Sequence, residues 1–366
     1  MTDLLPPEQV VGRRVLVVTG SVGAGHDGAA HELADRLRAA SVEVDVRDYL
    51  NAVPRWLALL LREGYTQSVD HVPAAFQLLF DRMERKGPVW RIAGAISALA
   101  EREMSRWLAS GNYDLVVSTY PVASQVLGDL RASGACPVPV LTYLTDPAAH
   151  RSWVHPAIDG HLTVTGATAK QGSEDYGMDL VPVGPLVPRR FGDVVPEAEL
   201  ALLRAELKLP AGRPVVLLMG GSLGFGLRSS VQDVVRAGFV PLVLCGRNEA
   251  VRRRVAAVPG AVSLGWRTDV HVLMKLADVL VHNAGGLSFT ESLVSGLPAV
   301  TYRPIPGHGL ANADVLERFG LAPWARSAEE LAAALQAALR RGRQPASLGD
   351  PTDAVLGYLP SVPVVA

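Results

Sequence analysis

A chain of 366 residues is long for one domain and comfortable for two, each able to bury a core of its own. Apolar residues make up 49% of it, which excludes a disordered chain, and a formal net charge of −1 gives no electrostatic reason to expect a nucleic-acid partner. Cys136 and Cys245 lie in or beside apolar runs and read as buried free thiols, with no disulfide framework implied. The N-terminal MTDLLPPEQV has no apolar signal core, and no uncharged apolar run reaches the roughly 18 residues that span a bilayer. The expected location is the cytoplasm, with a peripheral place on the inner face of the membrane left open.

The first predicted element is the apolar run at 15–18, a buried parallel strand. GSVGAGHDGAAHELADRLRAA follows, and its Leu33, Leu37 and alanines recur at helical spacing, so the glycine-rich stretch opens a helix. Val42, Val44 and Val46 predict a second strand. From about 50 to 108 the pattern offers helical segments and no strand. Strand–helix alternation resumes with DLVVSTY (114–120), PVLTYL (139–144), HLTVT (161–165) and LVPVG (180–184), and Pro182, Pro185 and Pro188 mark a boundary near 190. The second half repeats the scheme with VVLLMGGSLGFG (215–226), PLVLCGRN (241–248), VSLGW (262–266), DVLVHNAGG (278–286) and PAVTY (298–302). The fold class expected is α/β, two parallel sheets covered by helices, with domains at 1–190 and 191–345. The tail, 346–366, is expected to lie across the first domain or to be loose.

Gly20, Gly23, Gly25 and Gly28 sit between a strand and a helix, where the backbone turns sharply and the helix N-terminus suits an anion. Gly23-x-Gly25-x-x-Gly28, with Asp45 or Asp48 about 20 residues on, also fits a dinucleotide fingerprint. Two features weigh against a nicotinamide enzyme: His26 would crowd a pyrophosphate in that turn, and the second half carries a nucleotide-type loop of its own. His26 is the better candidate for a catalytic group, the plainer alternative being an exposed histidine in a tight turn. The second loop, Gly220-Gly221-Ser222-Leu223-Gly224, follows a strand and offers backbone N–H groups and a hydroxyl to phosphates. A third segment, His282-Asn283-Ala284-Gly285-Gly286-Leu287-Ser288-Phe289-Thr290-Glu291-Ser292, again leaves a strand and enters a helix. Glu291 would accept two ribose hydroxyls there, or would be an ordinary carboxylate favoured near a helix N-terminus.

HNAGGLSFTESLVSGLPAV, with CGRN and GGSLG, resembles the donor-site signature of glycosyltransferases with two Rossmann-like domains. GSVGAGH, STYPVASQVL (118–127) and TDPAAHRSW (145–153) narrow the resemblance to the monogalactosyldiacylglycerol synthase and processive diacylglycerol glucosyltransferase group, related to the peptidoglycan enzyme that adds N-acetylglucosamine to lipid I. It spans about residues 13–325, with the motifs in order. The resemblance implies the GT-B arrangement, two Rossmann-like domains facing across a cleft, and inverting transfer of a hexose from a UDP-sugar with no cofactor beyond the donor and no metal. The sequence is consistent in having no Asp-x-Asp pair to hold a divalent ion on a diphosphate.

Carried over to this chain, the resemblance puts Gly221 and Ser222 on the diphosphate and Leu264 to Arg267, with Trp266 among them, near the uracil, and counts Leu223, Gly246 and Arg247 in the donor site. Asn283, Gly285, Gly286 and Ser288 would line the phosphate side, with Glu291 on the ribose and His308 and Asn312 toward the donor sugar. His26 would face the transferred sugar and the acceptor hydroxyl, Asp146 is a second base candidate, and Gly25, Tyr120 and Trp153 would lie on the acceptor side. A histidine titrating near neutrality suits removal of the acceptor proton, while glycine loops and helix N-termini stabilise charge on the departing UDP. One departure stands out: His308-Gly309 occupies the place of an expected Gln or Glu pair, so galactose and glucose are not separated.

Between 50 and 108, Trp56, Trp90 and Trp107 alternate with Arg55, Arg62, Arg82, Arg85 and Arg91. An apolar face edged by Arg and Trp suits an anionic lipid surface; a helix pair packed on the sheet with solvated arginines fits the pattern equally well. The resemblance makes a diacylglycerol-type lipid the expected acceptor, a soluble metabolite remaining open. Two rival functions are a UDP-sugar 2-epimerase and a non-catalytic UDP-sugar-binding protein.

Overall fold

The structure is a computed structural model that describes residues 12–62, 72–220, 227–344, 346 and 348–360. The chain divides into two compact units, Met1–Leu186 with Leu348–Ala366, and Val187–Ser347.

In the first unit six parallel strands, β1 (Arg14–Thr19), β2 (Glu43–Asp48), β3 (Leu115–Ser118), β4 (Val140–Leu144), β5 (Gly160–Thr163) and β6 (Leu180–Pro182), lie in the order β2-β1-β3-β4-β5-β6. β1, β3 and β4 read as nearly unbroken apolar runs because helices cover both faces of the sheet. β2, EVDVRD, alternates because it is an edge strand. Helix α1 (Ala24–Ala39) returns from β1 on Leu33 and Leu37, both wholly buried. From β1 the chain builds outward to β2 on one side and to β3 on the other. The carboxyl ends of β1 and β3 therefore flank a topological switch point, the place where open α/β sheets bind ligands.

The link from β2 to β3 is helical among its described residues: α2 (described over 55–62), α3 (Pro73–Met83), α4 (Pro88–Ser97) and α5 (Glu101–Gly111). Pro73 and Pro88 open α3 and α4, where a missing N–H costs nothing. The two alternatives for this region divide by helix. α5 packs on the core through Met104 and Trp107, with Arg47 over the Trp107 ring at 5.3 Å. α3 and α4 bury no residue fully, and Trp56, Leu78, Leu79, Ile92 and Ile96 are exposed. The remaining helices of this unit are α6 (Pro121–Ala132) and α7 (Gly166–Tyr176).

The unit boundary falls between Leu186 and Val187, a few residues before the expected 190, because Val187 and Phe191 are buried in the core of the second unit. Residues from 348 belong with the first unit rather than forming a separate tail. Helix α15 (Pro351–Leu356) packs on α1, and Arg36 reaches Asp350 at 3.0 Å. The returning strand of chain crosses Gly184, whose φ is +98° and where an added Cβ would lie 2.1 Å from the Gly349 carbonyl oxygen.

His161 on β5 is 2% exposed and accepts the His155 N–H at 3.2 Å. Burial, with His155 adding to it, brings its pKa down to about 4. The unfolded chain takes up a proton below about 6.5 that the fold refuses until about 4, so stability falls as pH drops through that window. The expected loss is on the order of 2–3 kcal/mol. Urea midpoints at pH 7 and pH 4.5 check this, and His161→Gln should show a smaller drop.

In the second unit β7 (Val215–Met219), β8 (Val240–Leu244), β9 (Val262–Leu264), β10 (Val279–His282), β11 (Ala299–Tyr302) and β12 (Trp324–Ala325) form a parallel sheet in the order β12-β11-β10-β7-β8-β9. β12, two residues long, is too short to show any period in sequence. The helices are α8 (Glu197–Glu206), α9 (Leu227–Arg236), α10 (Glu249–Ala256), α11 (Val270–Leu276), α12 (Gly286–Ser295), α13 (His308–Arg318) and α14 (Ala328–Arg341). Here the order reverses between β7 and β10, so the loops after Met219 and His282 border the second switch point.

Candidate active site

At the first switch point the glycine-rich loop leaves β1 beneath Tyr120. An added Cβ at Gly20 would lie 2.5–2.7 Å from the Tyr120 ring, so this position admits only glycine unless the ring moves. Tyr120 is 6% exposed, and Gly20→Ala is expected to cost about 2–3 kcal/mol by overpacking, read as a lower urea midpoint at unchanged slope. Asp48 holds the loop from the side, accepting the Ser21 N–H at 3.2 Å and the Leu50 N–H at 2.9 Å, and the Ser21 hydroxyl as well. Asp45 takes the Tyr113 hydroxyl at 2.6 Å and Arg14 at 3.2 Å. Both acids of the apparent dinucleotide fingerprint thus serve the loop and the sheet edge.

α1 starts behind Gly23 without a side-chain cap, leaving its first N–H groups, with Gly25 in the first turn, for a ligand. His26 sits in that turn. Its Nδ1 lies 2.9 Å from the Thr119 carbonyl oxygen and 3.0 Å from the Thr145 hydroxyl. A carbonyl oxygen only accepts, so Nδ1 carries the proton in the neutral ring and Nε2 is the basic nitrogen. Tyr120 and Trp153 flank the imidazole, with ring centroids at 5.3 and 5.8 Å. The structure therefore brings three of the sequence candidates, His26, Tyr120 and Trp153, into one cluster.

Asp146 joins the same cluster through Trp153. The indole N–H donates to Asp146 Oδ2 at 3.0 Å, and His150 Nε2 lies 3.4 Å from the same oxygen. Asp146 is 8% exposed. This geometry makes it an anchor for the Trp153 wall, with His26 better placed as the base. Thr119, Thr145 and His150 were not singled out from the sequence. Thr145 stands next to Asp146 at the end of β4, a signal that loop position alone offered.

In the second unit Gly221, Ser222 and Leu223 lie outside the described residues. Around them, Asn283 donates to the Gly220 carbonyl at 2.9 Å, tying together the ends of β7 and β10. Asn312, fully buried, donates to the Ala284 carbonyl at 3.0 Å and so supports a residue held at φ +63°. Both amides shape the loop from beneath. α12 then begins behind Gly285 with no side-chain cap, leaving the N–H groups around Gly286 and Ser288 to an anion.

Glu291 lies on the second turn of α12, 8% exposed, and among the described residues its Oε2 has no hydrogen-bond partner. Burial pushes its pKa up to about 8, with Arg190 pulling in the other direction. A buried carboxyl oxygen without a partner costs free energy until a donor reaches it, which keeps Glu291 a candidate for ligand contact. His282 is different in kind. It is 1% exposed, 3.2 Å from the Thr301 hydroxyl and stacked on Phe289, and burial lowers its pKa to about 4. It is a neutral core residue.

His308 opens α13 behind Gly307, whose φ is +76°. At Gly309 an added Cβ would come within 3.0 Å of Ile305 Cβ and 3.5 Å of the Asn283 carbonyl oxygen, so the loop has closed over the space a larger residue would need. On the other side of β7, Gly246 turns at φ +57° and the Arg247 guanidinium stacks on Trp266 at 4.7 Å. Arg247, Trp266 and their neighbours line a cavity of about 580 Å³, within the usual range for small-molecule sites. Arg267 is engaged by Asp269 at 2.7 Å. Among the described residues no group of three His, Cys, Asp or Glu side chains could hold a metal ion, and no helix is long and apolar enough to cross a membrane.

Residues 26–183 match the family model described as monogalactosyldiacylglycerol (MGDG) synthase. The processive diacylglycerol β-glucosyltransferase of Bacillus cereus (strain B4264) is 23% identical over 342 residues, 89% of this chain and 86% of that protein. The chain is a glycosyltransferase. Its fold is shared with MurG of Acinetobacter baumannii at a TM-score of 0.57 and 18% identity, covering 95% of this chain and 99% of that one. Anabaena Alr3699/HepE in complex with UDP and glucose has a TM-score of 0.52 at 14% identity, covering 95% and 93%. The glycosyltransferase thus keeps the two-Rossmann-domain fold at low identity.

Proposed function

We propose that this glycosyltransferase moves a hexose from a UDP-sugar to the hydroxyl of a diacylglycerol-type lipid, with inversion at the anomeric carbon. The observation that carries the proposal is the unpartnered, buried Oε2 of Glu291 beside the uncapped start of α12. A nucleoside diphosphate fits both, its ribose hydroxyls donating to the carboxylate and its phosphates meeting the helix N–H groups. The exposed Trp266 with Arg247 on its face suits the planar base.

The acceptor chemistry falls to His26. Held at Nδ1 by the Thr119 carbonyl and Thr145, it takes the acceptor proton at Nε2 as the oxygen attacks the anomeric carbon. UDP departs from the opposite face, which gives inversion, and the N–H groups of α12 meet its growing charge. This scheme uses only the chain's own groups and the donor, without a further cofactor. The exposed apolar residues of α2–α4, with Arg55, Arg82, Arg85, Lys86 and Arg91 exposed around them, suit peripheral docking on an anionic bilayer on the cytoplasmic side.

UDP release across a panel of UDP-sugars, with and without anionic vesicles containing diacylglycerol, tests the proposal. Release that needs the vesicles, and that His26→Ala abolishes while UDP binding persists, supports it and names the donor. UDP binding without release from any donor would favour a non-catalytic sugar-nucleotide binder, for which His308-Gly309 gives the structural footing. Failure to bind UDP would overturn the donor site.

A further inference from the structure

β11 ends at Tyr302, and the next residue, Arg303, sits at φ +50°, in the left-handed region that long side chains seldom enter. A residue stays there only when its surroundings over-determine it, and such positions gather at ligand clamps and switch segments. Here the surroundings are a polar cluster on α9. Asp233 is buried and accepts Arg303 at 2.9 Å, the Tyr302 hydroxyl at 2.9 Å and Arg236 at 2.8 Å. The Arg303 guanidinium also donates to the Ser229 hydroxyl, one turn nearer the start of α9. One planar group thus spans two residues of that helix, which its fixed fork of donors allows.

The turn that begins at Arg303 is joined at its far end to the segment before α12. Ile305 donates its N–H to the Asn283 carbonyl at 3.1 Å. From the second turn of α13, Asn312 donates to the Ala284 carbonyl at 3.0 Å. α12 then opens behind Gly285 without a side-chain cap. Residues 303–307 therefore link α9 on one side to the approach to that open helix end on the other. Pro304 and Pro306 fix their own φ, so a shift at Arg303 is passed along the turn rather than absorbed in it.

We propose that Arg303 is a positioning residue for the donor. By tying the turn to α9, it sets where Asn283 and Ala284, and with them the first N–H groups of α12, stand against the donor phosphates. Its guanidinium is engaged by Asp233 and Ser229, so it acts through the turn and not by contact with the donor. This rests on the donor site proposed above.

Arg303→Gly provides the test. Glycine takes φ +50° without steric cost, and Asp233 keeps Tyr302 and Arg236 as donors, so the variant loses the tie and should melt near the wild-type temperature. It should bind UDP about tenfold more weakly, the effect of about one well-placed hydrogen bond. Uridine lacks the phosphates and depends on Glu291 and the base site. Its affinity, read by ligand-observed NMR, should stay within about twofold, as for sites that share no partner. Ser229→Ala cuts the same tie from another element. It should show the same pattern with a smaller loss, and should add little to Arg303→Gly, as residues acting together do. Arg303→Lys should recover part of the UDP affinity, since an ammonium can pair with Asp233 without spanning to Ser229. UDP binding equal in wild type and Arg303→Gly would overturn the inference and leave the donor site standing. UDP and uridine weakened alike would also overturn it, making Arg303 a residue of the fold at large. A wild type that binds no UDP would remove the donor site and this inference with it.

Discussion

Glu291→Ala is expected to weaken UDP binding by about 100-fold, since two hydroxyl-to-carboxylate hydrogen bonds disappear and each is worth about 1.5–3 kcal/mol before compensation. 2′,3′-Dideoxy-UDP should bind wild type and variant alike, which assigns the loss to the ribose hydroxyls. pH gives a second signature. With its pKa raised to about 8, Glu291 is protonated in the free protein at neutral pH. Ribose hydroxyls donate to the ionised form, so UDP lowers that pKa, and its binding releases a proton. Affinity should rise with pH up to about 8, by at most about tenfold per unit, and Glu291→Gln should flatten the rise. Calorimetry in buffers of different ionisation enthalpy reads the proton directly. The stability of the ligand-free fold responds with the opposite sign. Its pKa lies above the usual 4.5, so the fold holds a proton that the unfolded chain has released, and stability falls as pH climbs from about 4.5 to about 8. Glu291→Gln removes that loss, and its melting temperature should exceed the wild type's most clearly at pH 8. A variant that lost stability and UDP affinity together at every pH would assign Glu291 to packing instead.

His26→Ala should lower the transfer rate by a factor of about 10²–10⁴, the usual contribution of a general base, while UDP binding stays within twofold. The distinction from a merely structural histidine is chemical rescue. Imidazole in solution should restore part of the rate to His26→Ala, because the ring occupies space bordered by Tyr120 and Trp153 rather than a sealed core. Thr145→Val, which keeps the side-chain shape and removes the hydroxyl 3.0 Å from Nδ1, should lower kcat more than it changes KM, as expected for a group that orients the base. A loss of UDP binding in parallel with rate, without rescue by imidazole, would remove His26 from the proton transfer.

Among the described strands, eleven could be read from the sequence, most because parallel strands covered on both faces are short apolar runs and β2 by its alternation, and β12 could not because two residues carry no period. The glycine loops and Glu291 stood out for a related reason: loops that leave a strand and open a helix have a local signature in residue type and spacing. His26 was visible because its bulk conflicts with the turn it occupies. What the sequence left open depended on distant residues meeting. Asp146 and Asp48 look alike as loop acids, yet one anchors Trp153 and the other pins Ser21, and only the packing of β1, β3 and β4 decides which. The tautomer of His26 comes from a carbonyl 93 residues away. That the Asn283 and Asn312 amides also donate to the Gly220 and Ala284 carbonyls is a tertiary contact with no local signal. Local chain chemistry thus determined the elements and the kind of ligand, because backbone turns and helix ends are short-range. Tertiary structure decided protonation, burial and which side chain touches which, because those depend on the desolvation and hydrogen bonds that only the assembled fold supplies.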